Sequence, residues 1–389
     1  MAAREIRIGF CENGAGYGGA VISLAAFLEK LPADFRPTIY TGIGTAPYQQ
    51  LSRLGTWRHV KPKMLLKERW LRSARLPFRS TVDNLLTLLP TTLSYYYAFK
   101  RDRIDLVYLN NDASCNMAAA LAAKLAGLPS VLHSRGFNAD TRGCRWVLGN
   151  IRHCIAVSTA VRDGILRLGI GSDKCTVVHE GLDLTLFRPQ AASSALRAEL
   201  GIAENEPVIT LVGGLVDWKG QDVLLEAAPA ILQRYPNAHI LLPGSAYGAD
   251  NRYADMIAER ARAPILKNRV RLLGARSDIP ELLALSTIVL HASTQPEPFG
   301  RTFLEGMALG KPVIASNEGG PCDVIENGVD GLLIPPRDPA LLSDAILKLL
   351  DAPALAASLG RRAADKARAF SIEHHTDAIC TVLRTLSAA

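Results

Sequence analysis

Short apolar runs and amphipathic stretches alternate along the whole chain. In the first half EIRIGFC, PTIYTG, IDLVYLN, PSVLHS, HCIAVS and CTVVHE read as strands, with AVISLAAFLEKL and NMAAALAAKLAG as helices between them. The second half repeats the rhythm with PVITLVGG, AHILLPG, RVRLLG, TIVLHAS, KPVIAS and GLLIPP, separated by helical patterns such as QDVLLEAAPAILQRY and PALLSDAILKLL. Strand–helix units of this length predict parallel sheets covered by helices on both faces, an α/β class. Two sets of them predict two Rossmann-like domains. The periodicity weakens over FRPQAASSALRAELGIAENEP, where Pro, Ser, Ala and charge take over, so the boundary is expected there, with domains over 1–185 and 186–370.

A length of 389 residues also favours two cores over one. With 48% hydrophobic and 21% charged residues the composition is that of an ordinary globular protein. The seven cysteines are odd in number and form no C-x-x-C pair, which argues against a disulfide framework or a zinc site and for a reducing, cytoplasmic setting. The first residues enter a strand pattern at once, without a signal-peptide h-region, and no run is long and apolar enough to be expected to span a bilayer.

Charge changes this picture at one place. Residues 51–80 hold nine Arg or Lys against the single acid Glu68, although the whole chain carries only +7. Trp70, several leucines and LLTLLPTTLSYYYAF are interleaved with or follow these cations. Such a mixture over 51–99 reads either as a solvated basic helix or as a surface for anionic lipid. No nucleic-acid recognition motif accompanies it, so nucleic acid is not an expected partner.

Ligands of open parallel sheets bind at the carboxyl ends of the strands, where the unusual loops of this chain lie. After the first strand, CENGAGYGGA brings Gly14, Gly16, Gly18 and Gly19 and approximates G-x-G-x-x-G. The next strand lacks the closing acid that a nicotinamide ribose needs, which disfavours dehydrogenase chemistry. In the second half, strand TIVLHAS feeds TQPEPFG, with a helix expected from Phe299 or Gly300. Pro298 pushes Glu297 into an extended conformation, and Glu305 follows inside the helix, one turn after Arg301. A carboxylate near a helix start can accept the vicinal hydroxyls of a ribose, and backbone N–H groups there favour a diphosphate. A nucleotide sugar offers both groups. The alternative is that both acids only complement the helix dipole.

EPFGRTFLE followed by GMALGKPVIASNEGGPCDVIENGVDGLLIPPRD resembles the E-x7-E signature and glycine-rich loop of GT4-type retaining glycosyltransferases, also called glycosyltransferase group 1. LVGGLVDWKGQDVLLEA resembles their phosphate-binding strand, loop and helix, and HEGLDLTLFRP their hinge segment. The resemblance implies the GT-B fold, two Rossmann-like domains facing each other across a cleft, with the helix 371–389 packing back on the first. It implies that Glu305 holds the ribose hydroxyls, that Glu297 contacts the donor sugar, and that Phe299, Gly300 and Arg301 line the sugar subsite. Lys219, after Gly213 and before Gly220, would neutralise the diphosphate, and Gly319 and Gly320 would open a helix toward the phosphates. The family's arginine five residues before that lysine is Gly214 here, so Arg301 or Arg135 is left to substitute. In the first domain Gly18 and Gly19 match a loop that approaches diphosphate and acceptor, His133 resembles a histidine that touches the donor sugar, and Asn110, Asn111 and Arg135 are acceptor candidates. His179, His291, His374 and His375 read as structural.

The implied activity is metal-independent, retaining transfer from a UDP- or GDP-linked sugar, with no further cofactor, to a glycan or lipid-linked acceptor. The expected setting is lipopolysaccharide or exopolysaccharide assembly in the cytoplasm, peripheral on the inner face of the membrane through 51–99. A nucleotide-sugar epimerase of the same fold and a non-catalytic nucleotide-sugar binder are the alternatives.

Overall fold

The computed structural model describes residues 5–14, 16, 18–62, 79–246 and 251–388, and for 79–86 and 388 the backbone alone. Lys63, Lys67, Trp70 and most of the basic stretch therefore lie outside the described residues. The chain divides into two compact units, Met1–Gly181 with Ile372–Ala389, and Leu182–Ser371.

The first unit is built on strands β1 (Ile6–Glu12), β2 (Phe35–Thr41), β3 (Thr56–His59), β4 (Leu106–Asn111), β5 (Ser130–Ser134), β6 (His153–Ala156) and β7 (Cys175–Val177). Their order is β3-β2-β1-β4-β5-β6-β7, and every pairing is parallel. The chain thus runs outward from β1 to β3, then returns to β1's other side, which opens a crevice between the ends of β1 and β4. Ile8, Phe10, Leu106, Tyr108, Val131 and Ile155 form the sheet side of the core. The helix Gly19–Glu29 covers them with Val21, Leu24 and Phe27, and the helix Ile372–Ala388 adds Ile379, Cys380 and Leu383. Ion pairs Arg384–Asp34 (3.0 Å) and Lys30–Glu373 (2.9 Å) tie this last helix to the same unit.

Strand β3 is absent from the strands expected from sequence. Its four residues TWRH are half or fully exposed at the sheet edge, and a charged edge strand carries little apolar periodicity to read. The helix Arg79–Arg101 contains Pro90 and buries Tyr95 and Phe99 against Tyr40.

The second unit holds β8 (Val208–Leu211), β9 (His239–Pro243), β10 (Val270–Gly274), β11 (Ile288–His291), β12 (Val313–Ser316) and β13 (Leu332–Ile334), in the parallel order β10-β9-β8-β11-β12-β13. Here β8, β9, β11 and β12 are buried along their whole length, because helices cover both faces. The switch in direction falls between β8 and β11. Among the described residues no helix is long and apolar enough to cross a membrane.

Candidate active site

The loops that leave β8 and β11 meet at this second switch point. Gly220, at φ 75°, caps the helix Gln221–Arg234, and a Cβ there would sit 1.9 Å from the carbonyl oxygen of Ala292. Only glycine permits that approach, which brings Lys219 to the loop after β11. Its ammonium lies 2.5 and 2.8 Å from the two carboxylate oxygens of Glu297 and 4.1 Å above the Trp218 ring. Gly220→Ala is therefore expected to cost roughly 2–5 kcal/mol, from left-handed strain plus overpacking. Urea unfolding measures this, and an unchanged midpoint would show that the two loops can separate freely.

Two more side chains converge on the same carboxylate. His291, the last residue of β11, places Nε2 2.9 Å from Glu297 Oε2, and Ser293 donates its hydroxyl to that oxygen at 2.6 Å. The backbone of Glu297 is held as well, since Gly320 N–H donates to its carbonyl at 2.9 Å. Burial pushes the Glu297 carboxyl up, but Lys219 and His291 more than offset this and hold it well below the usual carboxylate range. It is a fixed, buried anion with every oxygen engaged.

The turn that follows is equally constrained. Gly300 has φ 89°, and a Cβ would fall 2.4 Å from His291 Nε2. A Cβ on Gly320 would fall 2.4 Å from Phe299 Cα, so the glycine pair lies directly on the Pro-Phe-Gly turn. The helix begins at Arg301, one or two residues later than the expected start at Phe299 or Gly300, and Gly319–Gly320 precede only the short helix Pro321–Val324. Phe299 is buried with its ring centroid 5.6 Å from that of Phe303. In the longer helix Glu305 is buried with Arg301 Nε 3.5 Å away. Burial raises the Glu305 carboxyl above its ordinary value, with Arg301 opposing. Gly213 lies at the root of the β8 loop and donates its N–H to Pro243.

At the first unit's switch point the focus is Glu12, which ends β1 and went unread in the sequence. Its carboxylate accepts from Asn110 Nδ2, from Asn111 Nδ2 at 2.8 Å and from Gly14 N–H at 2.8 Å. Arg135 donates from Nε to Asn110 at 2.7 Å and pairs with Glu180. Asn110 and Arg135, two of the acceptor candidates, are thus buried members of an internal network. Of the two arginines left to substitute for the missing one, Arg135 pairs with Glu180 and Arg301 with Glu305. Asn111, at φ 84° and partly exposed, stands at the network's edge. His133 is fully buried, with the Tyr108 hydroxyl at Nδ1 and the His375 ring 5.8 Å away. Burial, then Arg135 and His375, push its pKa well below the usual range, so it is neutral. Gly18 caps the helix Gly19–Glu29, and a Cβ on Gly19 would meet nothing within 4 Å.

Residues 193–366 match the family described as Glycosyl transferases group 1, and residues 17–186 match Glycosyltransferase Family 4. The chain belongs to the GT4-type, group 1 glycosyltransferases. It is 32% identical over 226 residues to a D-inositol 3-phosphate glycosyltransferase of Nocardia farcinica, an alignment covering 57% of this chain and 49% of that one. Spore coat protein SA of Bacillus subtilis is 28% identical over 251 residues, covering 60% and 66% of the two chains. This group 1 glycosyltransferase chain thus spans about half the length of the D-inositol 3-phosphate glycosyltransferases it matches. Anabaena HepE in complex with UDP-glucose superposes with a TM-score of 0.81 at 25% identity over 98% of this chain and 100% of that one. The likeness gives the chain the GT-B fold with two Rossmann-like units. His291, which the sequence reading takes as structural, and Ser293, which it does not single out, are both in contact with Glu297. Their signal was position alone, since they end β11 and open the loop that carries Glu297.

Proposed function

We propose that this protein transfers a sugar from a nucleoside-diphosphate sugar to an acceptor hydroxyl. The observation that carries the reading is the cluster of Lys219, His291 and Ser293 around the buried carboxylate of Glu297, at the switch point of the second sheet. In this reading the fixed Glu297 anion accepts hydroxyls of the donor sugar. Lys219, a point charge already partly desolvated, is shared with the diphosphate as the glycosidic bond breaks and the leaving group gains charge. Glu305 takes the ribose hydroxyls, and the N–H groups of Phe299, Gly300 and Arg301 border the sugar. The HepE complex, which contains UDP-glucose, supports a uridine donor, with GDP-linked sugars the other class to try.

We assign retention of anomeric configuration and independence from metal on the E-x7-E resemblance and on the lysine as the charge-neutralising group. The acceptor reading is a glycan or lipid-linked saccharide of lipopolysaccharide or exopolysaccharide assembly at the cytoplasmic membrane face. It rests on the basic and aromatic sequence of 51–99. Replacing Lys61, Lys63 and Lys67 together is expected to weaken co-sedimentation with anionic vesicles severalfold; unchanged sedimentation removes the membrane part of the reading.

The deciding experiment is release of UDP or GDP from a panel of nucleotide sugars, with and without a bacterial lipid extract and with EDTA present. Release of one nucleotide that depends on extract, persists in EDTA and yields a product with the donor's anomeric configuration supports the reading. Saturable donor binding without release in any mixture overturns it in favour of a nucleotide-sugar binder.

A further inference from the structure

Two of the seven cysteines, far apart in the sequence, are neighbours in the first sheet. Cys154 in β6 and Cys175 in β7 stand directly opposite each other in the parallel pairing of these strands, both as free thiols. Alternation along β6 turns Ile155 into the core shared with the helix Ile372–Ala388, so Cys154 and its partner lie on the opposite face of the sheet. The helix Thr159–Arg167 covers them there. The two thiols are hydrogen-bonded to each other. Neighbouring strands lie about 4.8 Å apart, inside the roughly 4.4–6.8 Å between Cα atoms that a disulfide spans. The small approach still needed falls on β7, a three-residue strand at the edge of the sheet, reached through Gly169, Gly171 and the single turn Ser172–Lys174.

The two thiols are not equivalent. Cys175 keeps 8% of its surface in contact with solvent, and Cys154 keeps none. The hydrogen bond from Cys154 holds the Cys175 thiol below its ordinary value against burial, and Arg162 adds to this while Asp163 opposes it. The same hydrogen bond, together with burial, pushes the Cys154 thiol up. The reachable sulfur is therefore the better nucleophile, and a hidden thiol stands against it, which is the arrangement of an attacking and a resolving cysteine.

We propose that Cys154 and Cys175 form a site of reversible oxidation by peroxide, closing to a disulfide across β6 and β7. The Cys175 thiolate attacks one peroxide oxygen and the O–O bond breaks. The other oxygen leaves as hydroxide, which becomes water by taking up the proton that Cys175 had lost, and Cys175 is left as a sulfenic acid. The Cys154 sulfur then displaces the sulfenic oxygen, which departs as water with the Cys154 proton as the S–S bond forms. One hydrogen peroxide and two thiols thus give one disulfide and two waters, and two electrons pass from sulfur to oxygen. Two equivalents of a small thiol reverse the reaction by exchange. The cross-link clamps the strand from which the chain continues to Glu180, the partner of Arg135, at the unit's boundary after Gly181.

The test treats the reduced full chain with a few equivalents of hydrogen peroxide, quenches it with N-ethylmaleimide in urea and digests it with trypsin. The expected product joins the peptides His153–Arg162 and Cys175–Arg197 at a mass lower than their sum by two hydrogens, and dithiothreitol separates them. Cys154→Ser should instead leave Cys175 as a sulfenic acid that dimedone traps, and Cys175→Ser should leave Cys154 fully alkylated. Full alkylation of both cysteines in the wild type, at a peroxide dose that oxidises the exposed Cys322, overturns the proposal. So does a cross-link that forms only when urea is added before the peroxide, which would place the pairing in the unfolded chain.

Discussion

Lys219→Ala is expected to reduce nucleotide release by roughly 10²–10³-fold, the usual loss when one preorganised charge aimed at a developing anion is removed. The same change strands the Glu297 carboxylate, which is buried and pairs with Lys219 through both oxygens. Breaking a buried pair from one side costs about 3–5 kcal/mol, more than removing both charges. The double variant Lys219→Met with Glu297→Gln should therefore recover most of the stability lost in Lys219→Ala and none of the activity. Urea unfolding and nucleotide release on the three proteins separate the two effects. Activity returning together with stability would mean that Lys219 serves the fold alone. Acid should affect the ion pair late. The Glu297 carboxyl is held below its unfolded value, so its contribution is present above the unfolded pKa and is lost only as pH falls through the lower folded one.

Glu305→Gln should move stability and binding in opposite directions. Burial raises the Glu305 carboxyl, with the Arg301 guanidinium 3.5 Å away as partial compensation. With the folded pKa above the unfolded one, the favourable contribution is full below the unfolded value and is lost as pH rises through the folded value. The variant carries no such charge, so its advantage over the wild type should appear as pH rises from about 4 and persist at neutrality. On the proposed reading, in which Glu305 takes both ribose hydroxyls, donor affinity should fall roughly ten- to hundredfold as charge-assisted hydrogen bonds give way to weaker neutral ones. Thermal unfolding from pH 4 to 8, beside calorimetric titration with UDP, tests both halves. A variant less stable than wild type at neutral pH would show that the Arg301 pair outweighs the burial.

Such an opposition is what the proposed binding role of Glu305 would entail. Glu305 sits in a helix whose other inward positions, Phe303, Leu304, Met307 and Ala308, are apolar core. An apolar residue in its place would pack without a desolvation cost. The buried Glu12 in the first unit is raised by burial in the same way, though hydrogen bonds from Asn110, Gly14 and Asn111 offset part of it. Each sheet therefore keeps a costly carboxylate near its switch point, where the fold leaves a crevice and strand ends supply donors.

The sequence by itself determined the alternation of strands and helices, because a period of two or of 3.6 in apolar positions is a local property. It also singled out Glu297 and Glu305 by their spacing about the Pro-Phe-Gly turn, and Lys219 through the resemblance of its loop to the family's phosphate-binding segment. It missed β3, whose edge position leaves its side chains largely in water. Only the tertiary structure decided the partnerships. Lys219 and Glu297 are 78 positions apart, and Glu12 and Asn110 are 98 apart; each pair meets because β8 lies beside β11 and β1 beside β4. Strand order likewise brought Asn110 and Arg135 together at the ends of β4 and β5, whereas His291 and Ser293 reach Glu297 within one loop whose fold the sequence did not show. Periodicity records which face of an element is buried, whereas the pairing of charges across a sheet depends on which strands become neighbours, and that is fixed only when the whole sheet assembles.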